Sequence, residues 1–464
     1  MVQSVPTMIK EAAQRLPPIE DHAFGSMFDS FGQSHVVLIG DGSHGTSEFY
    51  RARAAITQHL ITHHGFNVVA IEADWPDAKA VDRYVRHLPS KSTAQSIKNV
   101  GVFDHFPRWM WRNTEVQSFA HWLRRHNAAL PPEQRVRFAG LDLYSMGASI
   151  RLVQDYLDRH ADPATAALAR RRYACLEPWT DDPAAYGRNA FLAGGGAAPC
   201  EKGVVHMLRD MLKNRLDMLA AARDDDGEDD FFDAEMNARL VRDAEEYYRA
   251  MFYGGGDASW NLRDSHFFGT LARLLQHEQQ HRQKQRRKSG GPPAKAIVWA
   301  HNSHVGDARL TAMGESRNQL NLGQLCKERW GAGCSIVGCG THAGTVAAAH
   351  EWDGPMEVVA VRPSRGDSYE RLMHDAGVPS FMLDLREGVL DRELRKELMK
   401  KRLERFIGVI YRPDTERWSH YSKVVLPRQM DCLVWFDQTE AVHAFETAQP
   451  DEQPSAGETY PFGL

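Results

Sequence analysis

CxxC cysteine motifs, long apolar runs and a surplus of charge of one sign are all missing from this chain, and each absence removes a class of function. The six cysteines, Cys175, Cys200, Cys326, Cys334, Cys339 and Cys432, include no CxxC pair in 464 residues. They read as reduced, buried small hydrophobes, which favours a cytoplasmic protein. No run of about 18 apolar residues occurs, so no membrane span is predicted. The opening stretch through His22 lacks the apolar core of a secretory signal and reads as a short amphipathic helix ending at Pro17 and Pro18. Lysine and arginine number 56 against 61 acids, a net charge of −5, which leaves no basic field for nucleic acid or an anionic membrane. The basic run His281–Lys288 has no aromatics interleaved and leads into Ser-Gly-Gly-Pro-Pro, so it reads as a solvated connector at a helix end. Without GxSxG a serine-elbow hydrolase has no support, and without a P-loop neither does a nucleoside-triphosphate site.

What the chain does carry is a succession of short runs rich in Val and Ile, set between helical patterns. His35–Gly40, Asn67–Ala73, Arg135–Leu143, Ala296–His301, Cys334–Cys339, Glu357–Val361, Phe381–Leu385, Phe406–Tyr411 and Cys432–Phe436 read as strands. Unbroken apolar runs suit a sheet covered on both faces. Their alternation with helices predicts an α/β fold, a mixed, mostly parallel central sheet flanked by helices. Short spacers between the last strands predict antiparallel pairing there. From about 150 to 290 the pattern turns helical, with candidates Ala148–His160, Pro163–Cys175, Lys202–Arg223, Phe232–Phe252 and Ser259–Gln283. Glycines at 194–196 and 254–256 and the acidic run Asp224–Asp230 separate them. This predicts a helical insertion capping the core of a single domain spanning residues 1–464.

Ligands of open α/β sheets bind beyond the carboxyl ends of the strands, and here four strands end in ionisable groups. The first runs into Asp41 and His44, the second into Glu72 and Asp74, the third into Asp142, and the fourth into His301 and His304. Gly40, Gly42 and Gly45 permit a tight turn and close approach of a ligand around His44. Thr46 or Ser47 then caps a helix that Gly65 terminates. His44, at this helix start and three residues after an acid, suits a general base. Arg53 falls on the same apolar stripe as Phe49, Ile56 and Leu60, so it requires a buried anionic partner, with Asp41 and Glu72 as candidates. His301 and His304 stand at i, i+3. Acid–base work or transition-state stabilisation fits them better than a zinc or manganese site, although imidazole and carboxylate together can hold either metal. Phe106–Asn113 is dense in aromatic and cationic groups and reads either as a pocket lining or as a core helix start.

The segments GDGSHGTSEFYRAR, AIEADWPD and WAHNSHVG, with FPRWMWRN, SWNLRDSHFFGTL and the tail YRPDTERWSHYSKVVLPRQMDCLVWFDQT, resemble the erythromycin esterase family from about Ser34 to Glu440. The resemblance implies an α/β core with a helical part and a cleft at the strand ends. It implies hydrolysis of a macrolide lactone, an antibiotic-resistance activity, without a required metal. By this resemblance His44 is the essential base, Glu72 the acid after the second strand, Arg53 the helix arginine, and His301 and His304 the cleft histidines. Asp41 stands where the family usually has glutamate. Asp74, Trp109, Trp111, Arg112, Asp142 and Arg263 are the candidate substrate-binding residues. The expected partner is a small-molecule ester or lactone, with no cofactor, nucleic acid or membrane. A metal-dependent hydrolase using the same cluster, a lyase or cyclase of secondary metabolism, and a non-catalytic binding protein remain the alternatives.

Overall fold

The computed structural model describes residues 3–89, 102–105, 107–192, 200–214, 218, 227–253, 255–289 and 293–445. Its strands are β1 Gln14–Arg15, β2 Val36–Asp41, β3 Val68–Asp74, β4 Arg137–Asp142, β5 Ala296–His301, β6 Cys334–Ala348, β7 Glu357–Val361, β8 Ser380–Asp384, β9 Arg402–Arg405, β10 Tyr421–Val424 and β11 Cys432–Thr439. Nine of these form one sheet in the order β1-β8-β11-β6-β2-β5-β3-β4, with β7 added to β6, while β9 and β10 pair separately. The run from β11 to β4 is parallel throughout. Antiparallel pairing enters at β8 with β11, β1 with β8 and β7 with β6.

The alternation of side chains along each strand explains the layering. Val36, Leu38, Val68, Ala70, Leu141 and Val298 point to one face, and Val37, Ile39, Val69, Ile71, Phe138 and Ile297 to the other. Both sets are buried. Each fully buried Val, Leu or Ile contributes about 1.5–3 kcal/mol relative to exposure, so uncovering either face would unfold the sheet. Helices Ser47–His64 and Thr114–Ala128 cover the second face. The first face carries the helical layer, including Met146–His160, Pro163–Tyr173, Pro183–Leu192, Glu201–Lys213 and the long antiparallel pair Gly227–Tyr253 and Gly255–Ser289. No helix among the described residues is long and apolar enough to cross a membrane.

Several expectations are corrected. Cys175 and Cys200 form a disulfide, joining the end of one cap helix to the start of another, so not all six cysteines are reduced. Their 25-residue separation carries no motif, and only the packing of the helices brings their Cα atoms to 5.9 Å. Phe406–Tyr411 is not a strand. It crosses the His44 loop and pairs only through single bridges, Ile407 with Ser43 and Ile410 with Ala349. The acidic residues Glu228–Asp230 do not break a helix but open one, where their charge suits the N-terminal dipole. The basic run stays helical to Ser289, with Arg282 buried beside Glu278. The predicted breakers at 194–196, 224–226 and 254, Phe106, and the end of the predicted Lys202–Arg223 helix lie outside the described residues.

Candidate active site

β2, β5, β3 and β4 are adjacent and parallel, so their carboxyl ends lie side by side, and the chain order reverses at β2. After Asp41 the loop Gly42–Thr46 turns directly into the Ser47–His64 helix. A Cβ on Gly45 would overlap the Ala347 carbonyl, and one on Gly40 the Asn302 amide, so these two positions demand glycine for close approach. The glycines also have the G-x-G-x-x-G spacing of a dinucleotide turn. Here the protein itself fills that turn: His44 N–H donates to Ile407 O at 3.1 Å and Ser47 N–H to Glu440 O at 2.8 Å. No N–H cradle for a pyrophosphate is left at those positions.

His44 lies between two acids. Nδ1 is 3.4 Å from Asp41 Oδ1 and Nε2 is 3.9 Å from Glu72 Oε1, and neither nitrogen has a hydrogen-bond partner among the described residues. Asp41 in turn holds Arg53 Nη1 at 2.7 Å, and the guanidinium sits over the Tyr50 ring at 4.3 Å. Asp41 is thus the anion that the buried stripe position of Arg53 demands. Burial alone would push the Asp41 carboxyl up, but the charges of Arg53 and His44 outweigh it and hold it below the usual range.

Glu72 is the hub of the second half. Its Oε2 accepts the His301 backbone N–H at 2.8 Å, and its Oε1 lies 3.0 Å from Arg263 Nη2 and 3.2 Å from His304 Nε2. Burial opposes its ionisation, but His304, His44 and Arg263 hold it well below the carboxylate range. Arg263 also grips Asp142 with two donors, at 3.0 and 2.6 Å. His304 Nδ1 meets Asp264 at 2.9 Å, and its ring stacks on Trp260 at 4.4 Å. Burial lowers the His304 pKa, yet Asp264 and Glu72 raise it to about 9, so it is a fixed cation at neutral pH. His301 behaves oppositely. Burial, then the adjacent His44, pushes it down to about 3 and keeps it neutral. Its ring lies 4.7 Å from that of His44; Nδ1 meets Ser303 Oγ at 2.8 Å, and Nε2 has no hydrogen-bond partner among the described residues.

A cleft of about 70 Å³ opens above this cluster, lined by Glu72, Asp74, Asp77, Trp111, Asp142 and Arg263, among others. Asp74 faces it with one oxygen accepting Tyr144 N–H at 2.8 Å. Burial, then the neighbouring Asp142 and Asp77, raises the Asp74 pKa well above that of an ordinary aspartate. Trp111 lines the cleft and donates Nε1–H to Glu72 O at 3.0 Å. Trp109 instead packs in the core, and Arg112 turns to Val102 O and Asp104. Of the predicted site residues, Glu72, Asp74, Trp111, Asp142 and Arg263 line the cleft, Asp41, His44, Arg53, His301 and His304 are buried behind Glu72 rather than in the lining, and Trp109 and Arg112 belong to neither group. Sequence reasoning missed Asp264 and Trp260, which stand at i and i−4 on one face of the long helix beside Arg263. It also did not single out Asp77, which ends the AIEADWPD segment, Val409, which lies in the Phe406–Tyr411 run, or Tyr144 and Trp352.

Two clusters bear on metal binding. His277-Glu278-x-x-His281 has the HExxH spacing of a zinc helix. Yet His277 Nε2 is spent on Asp229 at 2.9 Å, and Glu278 is pinned by Arg137, cations where a metal would have to sit. At the cleft, Arg53, Arg263 and His304 lie against the carboxylates of Asp41, Glu72, Asp142 and Asp264.

The erythromycin esterase family matches residues 61–439 of the chain. In sequence the chain is 24% identical over 304 residues to erythromycin esterase type I of Escherichia coli, covering 64% of this chain and 68% of that protein. In fold it is similar to a Bacillus cereus protein, with a TM-score of 0.75 at 16% identity over 95% of this chain and 98% of that one. It is also similar to a succinoglycan biosynthesis protein, with a TM-score of 0.70 at 18% identity over 95% and 98% of the two chains. A mutant of the erythromycin esterase EreC in its open conformation gives a TM-score of 0.62 at 16% identity over 95% and 99%.

Proposed function

The chain belongs to the erythromycin esterase family, and on that premise we propose that it is a hydrolase cleaving a carboxylic ester or lactone with a water activated by His44. The observation that carries the reading is the buried His44 ring, set with Nδ1 at 3.4 Å from Asp41 and Nε2 at 3.9 Å from Glu72, a residue that lines the cleft.

Asp41 orients Nδ1–H, which leaves the lone pair on Nε2 to take a proton from water. The hydroxide attacks the ester carbon while His44, between Asp41 and Glu72, holds the proton. Ser303 Oγ–H donating to His301 Nδ1 puts the His301 proton on Nε2. A neutral imidazole N–H is then available to the developing oxyanion without a change of charge. Collapse of the tetrahedral intermediate breaks the acyl–oxygen bond, and Asp74, facing the cleft with its pKa raised, gives a proton to the leaving alkoxide, after which the proton taken up by His44 returns to Asp74 through solvent. Arg53 and Arg263 with His304 hold Asp41 and Glu72 in place. The products are one carboxylic acid and one alcohol. A cleft of about 70 Å³ accommodates the reacting ester group rather than a whole macrocycle, whereas pockets that engulf drug-sized ligands run to about 300–1,000 Å³.

The test is a panel of lactones and esters with mass detection, run beside His44→Asn. Hydrolysis adds the mass of water to a lactone, and the variant loses turnover by about 10³-fold or more with unchanged circular dichroism. A folded His44→Asn enzyme of full activity, or a product of unchanged mass, would overturn the reading.

A further inference from the structure

At the far end of the Ser47–His64 helix, some 25 Å along its axis from the His44 loop, three side chains converge. His59 Nε2 and His64 Nε2 both point at one oxygen, Asp29 Oδ1, at 2.6 and 2.7 Å. All three donor atoms lie within 4.8 Å of one another.

The convergence is built into the backbone. A Cβ on Gly32 would overlap the His64 ring, and one on Gly25 would overlap the His59 side chain, so two glycines clear the space for the two imidazoles. Lys295 Nζ donates to both Gly32 O and His64 O, tying the 29–32 turn to the helix end. Gly65, at φ 70°, stops the helix immediately after His64. The two imidazoles are part-buried while Asp29 is exposed, so the cluster is open on one side. There the exposed His63 stands with its ring 4.6 Å from that of His59.

We propose that Asp29, His59 and His64 form a binding site for a divalent transition metal of the zinc class, clipping the N-terminal segment to the Ser47–His64 helix. Two imidazole nitrogens and one carboxylate oxygen are the donors zinc prefers, and the open side admits a water or His63 as the fourth ligand. Zinc–ligand bonds of about 2.0–2.1 Å in a tetrahedron set neighbouring donor atoms about 3.3 Å apart. An outward swing of the exposed Asp29 carboxylate by about 0.7 Å, from contacts of 2.6 and 2.7 Å, reaches that spacing, and the ion then replaces the proton shared in each His–Asp contact. Among the described residues Asp29 makes no ion pair with a lysine or arginine, in contrast to Glu278 of the HExxH helix, which Arg137 occupies.

The experiment uses the full-length chain stripped with chelator and dialysed. Zinc is titrated against a chromophoric competitor chelator, and cobalt(II) is added separately to read its visible absorption. One equivalent of zinc with a tetrahedral cobalt spectrum is expected for the wild type and equally for His44→Asn. Asp29→Asn and His64→Gln should each weaken zinc at least tenfold, and added zinc should raise the melting temperature of the wild type but not of these variants. Asp29 is exposed, so Asp29→Asn keeps the fold if His64→Gln does not. Absence of bound zinc in the wild type, or binding that Asp29→Asn and His64→Gln leave unchanged, would overturn the proposal.

Discussion

Replacing His304 by Gln should flatten the alkaline limb of the protein's stability curve. His304 is fully buried, with Asp264 at 2.9 Å on Nδ1 and Glu72 at 3.2 Å on Nε2, and its pKa rises to about 9 from 6.5. A raised folded-state pKa means that the native chain holds a proton which the unfolded chain releases. The stabilisation is therefore complete below pH 6.5, falls as pH rises, and is gone above pH 9. A rise from 6.5 to about 9 corresponds to about 3 kcal/mol, with a slope of at most about 1.4 kcal/mol per pH unit. The assay is urea unfolding followed by tryptophan fluorescence at half-unit steps from pH 6 to 9.5. The wild type should lose about 3 kcal/mol over this window, and His304→Gln should start lower and stay level. His301, pushed down to about 3, acts in the opposite sense: its contribution is present above pH 6.5 and is lost as pH falls toward 3. Wild-type stability that is flat from pH 6.5 to 9, or an equal slope in the variant, would refute the assignment of His304 as a fixed cation.

Arg53→Met leaves the buried Asp41 carboxylate without its guanidinium partner and should cost about 3–5 kcal/mol, while the double variant Asp41→Asn/Arg53→Met recovers a large part of that loss in a double-mutant cycle; additive losses would deny the pair. Asp74→Asn should lower kcat by about 10²-fold for esters of poorly leaving alkyl alcohols and far less for activated phenyl esters, measured on matched substrates; equal losses on both would remove Asp74 as proton donor. Cys175–Cys200 closes a 25-residue separation, so reduction should cost about 3 kcal/mol in urea unfolding. Peptide mapping without reductant should recover the linked pair, and alkylation of both thiols in the native protein would contradict it.

Much of the fold was legible because a buried parallel strand writes itself as an unbroken apolar run. β2, β3, β4 and β5 were located within two residues, and with them the ends that carry Asp41, Glu72, Asp142 and His301. Phe406–Tyr411 carries the same apolar pattern but is a buried crossing, since burial alone does not tell a ladder from a loop pressed against one. The helices of the cap were recognisable by period. The disulfide between two of them was not, because cysteine spacing in the chain says nothing about how helices pack.

The sequence by itself determined the sheet, the loop around His44 and the demand of Arg53 for an anion, since each follows from local pattern and from the cost of burying an unpaired charge. Only the tertiary structure decided which anion answers Arg53, that His301 is neutral while His304 is charged, and that Trp111 reaches the cleft while Trp109 does not. Those outcomes depend on distances of a few ångströms between residues remote in the chain, such as Glu72, Arg263, Asp264 and His304. Local pattern is blind to such distances, and in a buried site they set both charge and chemistry.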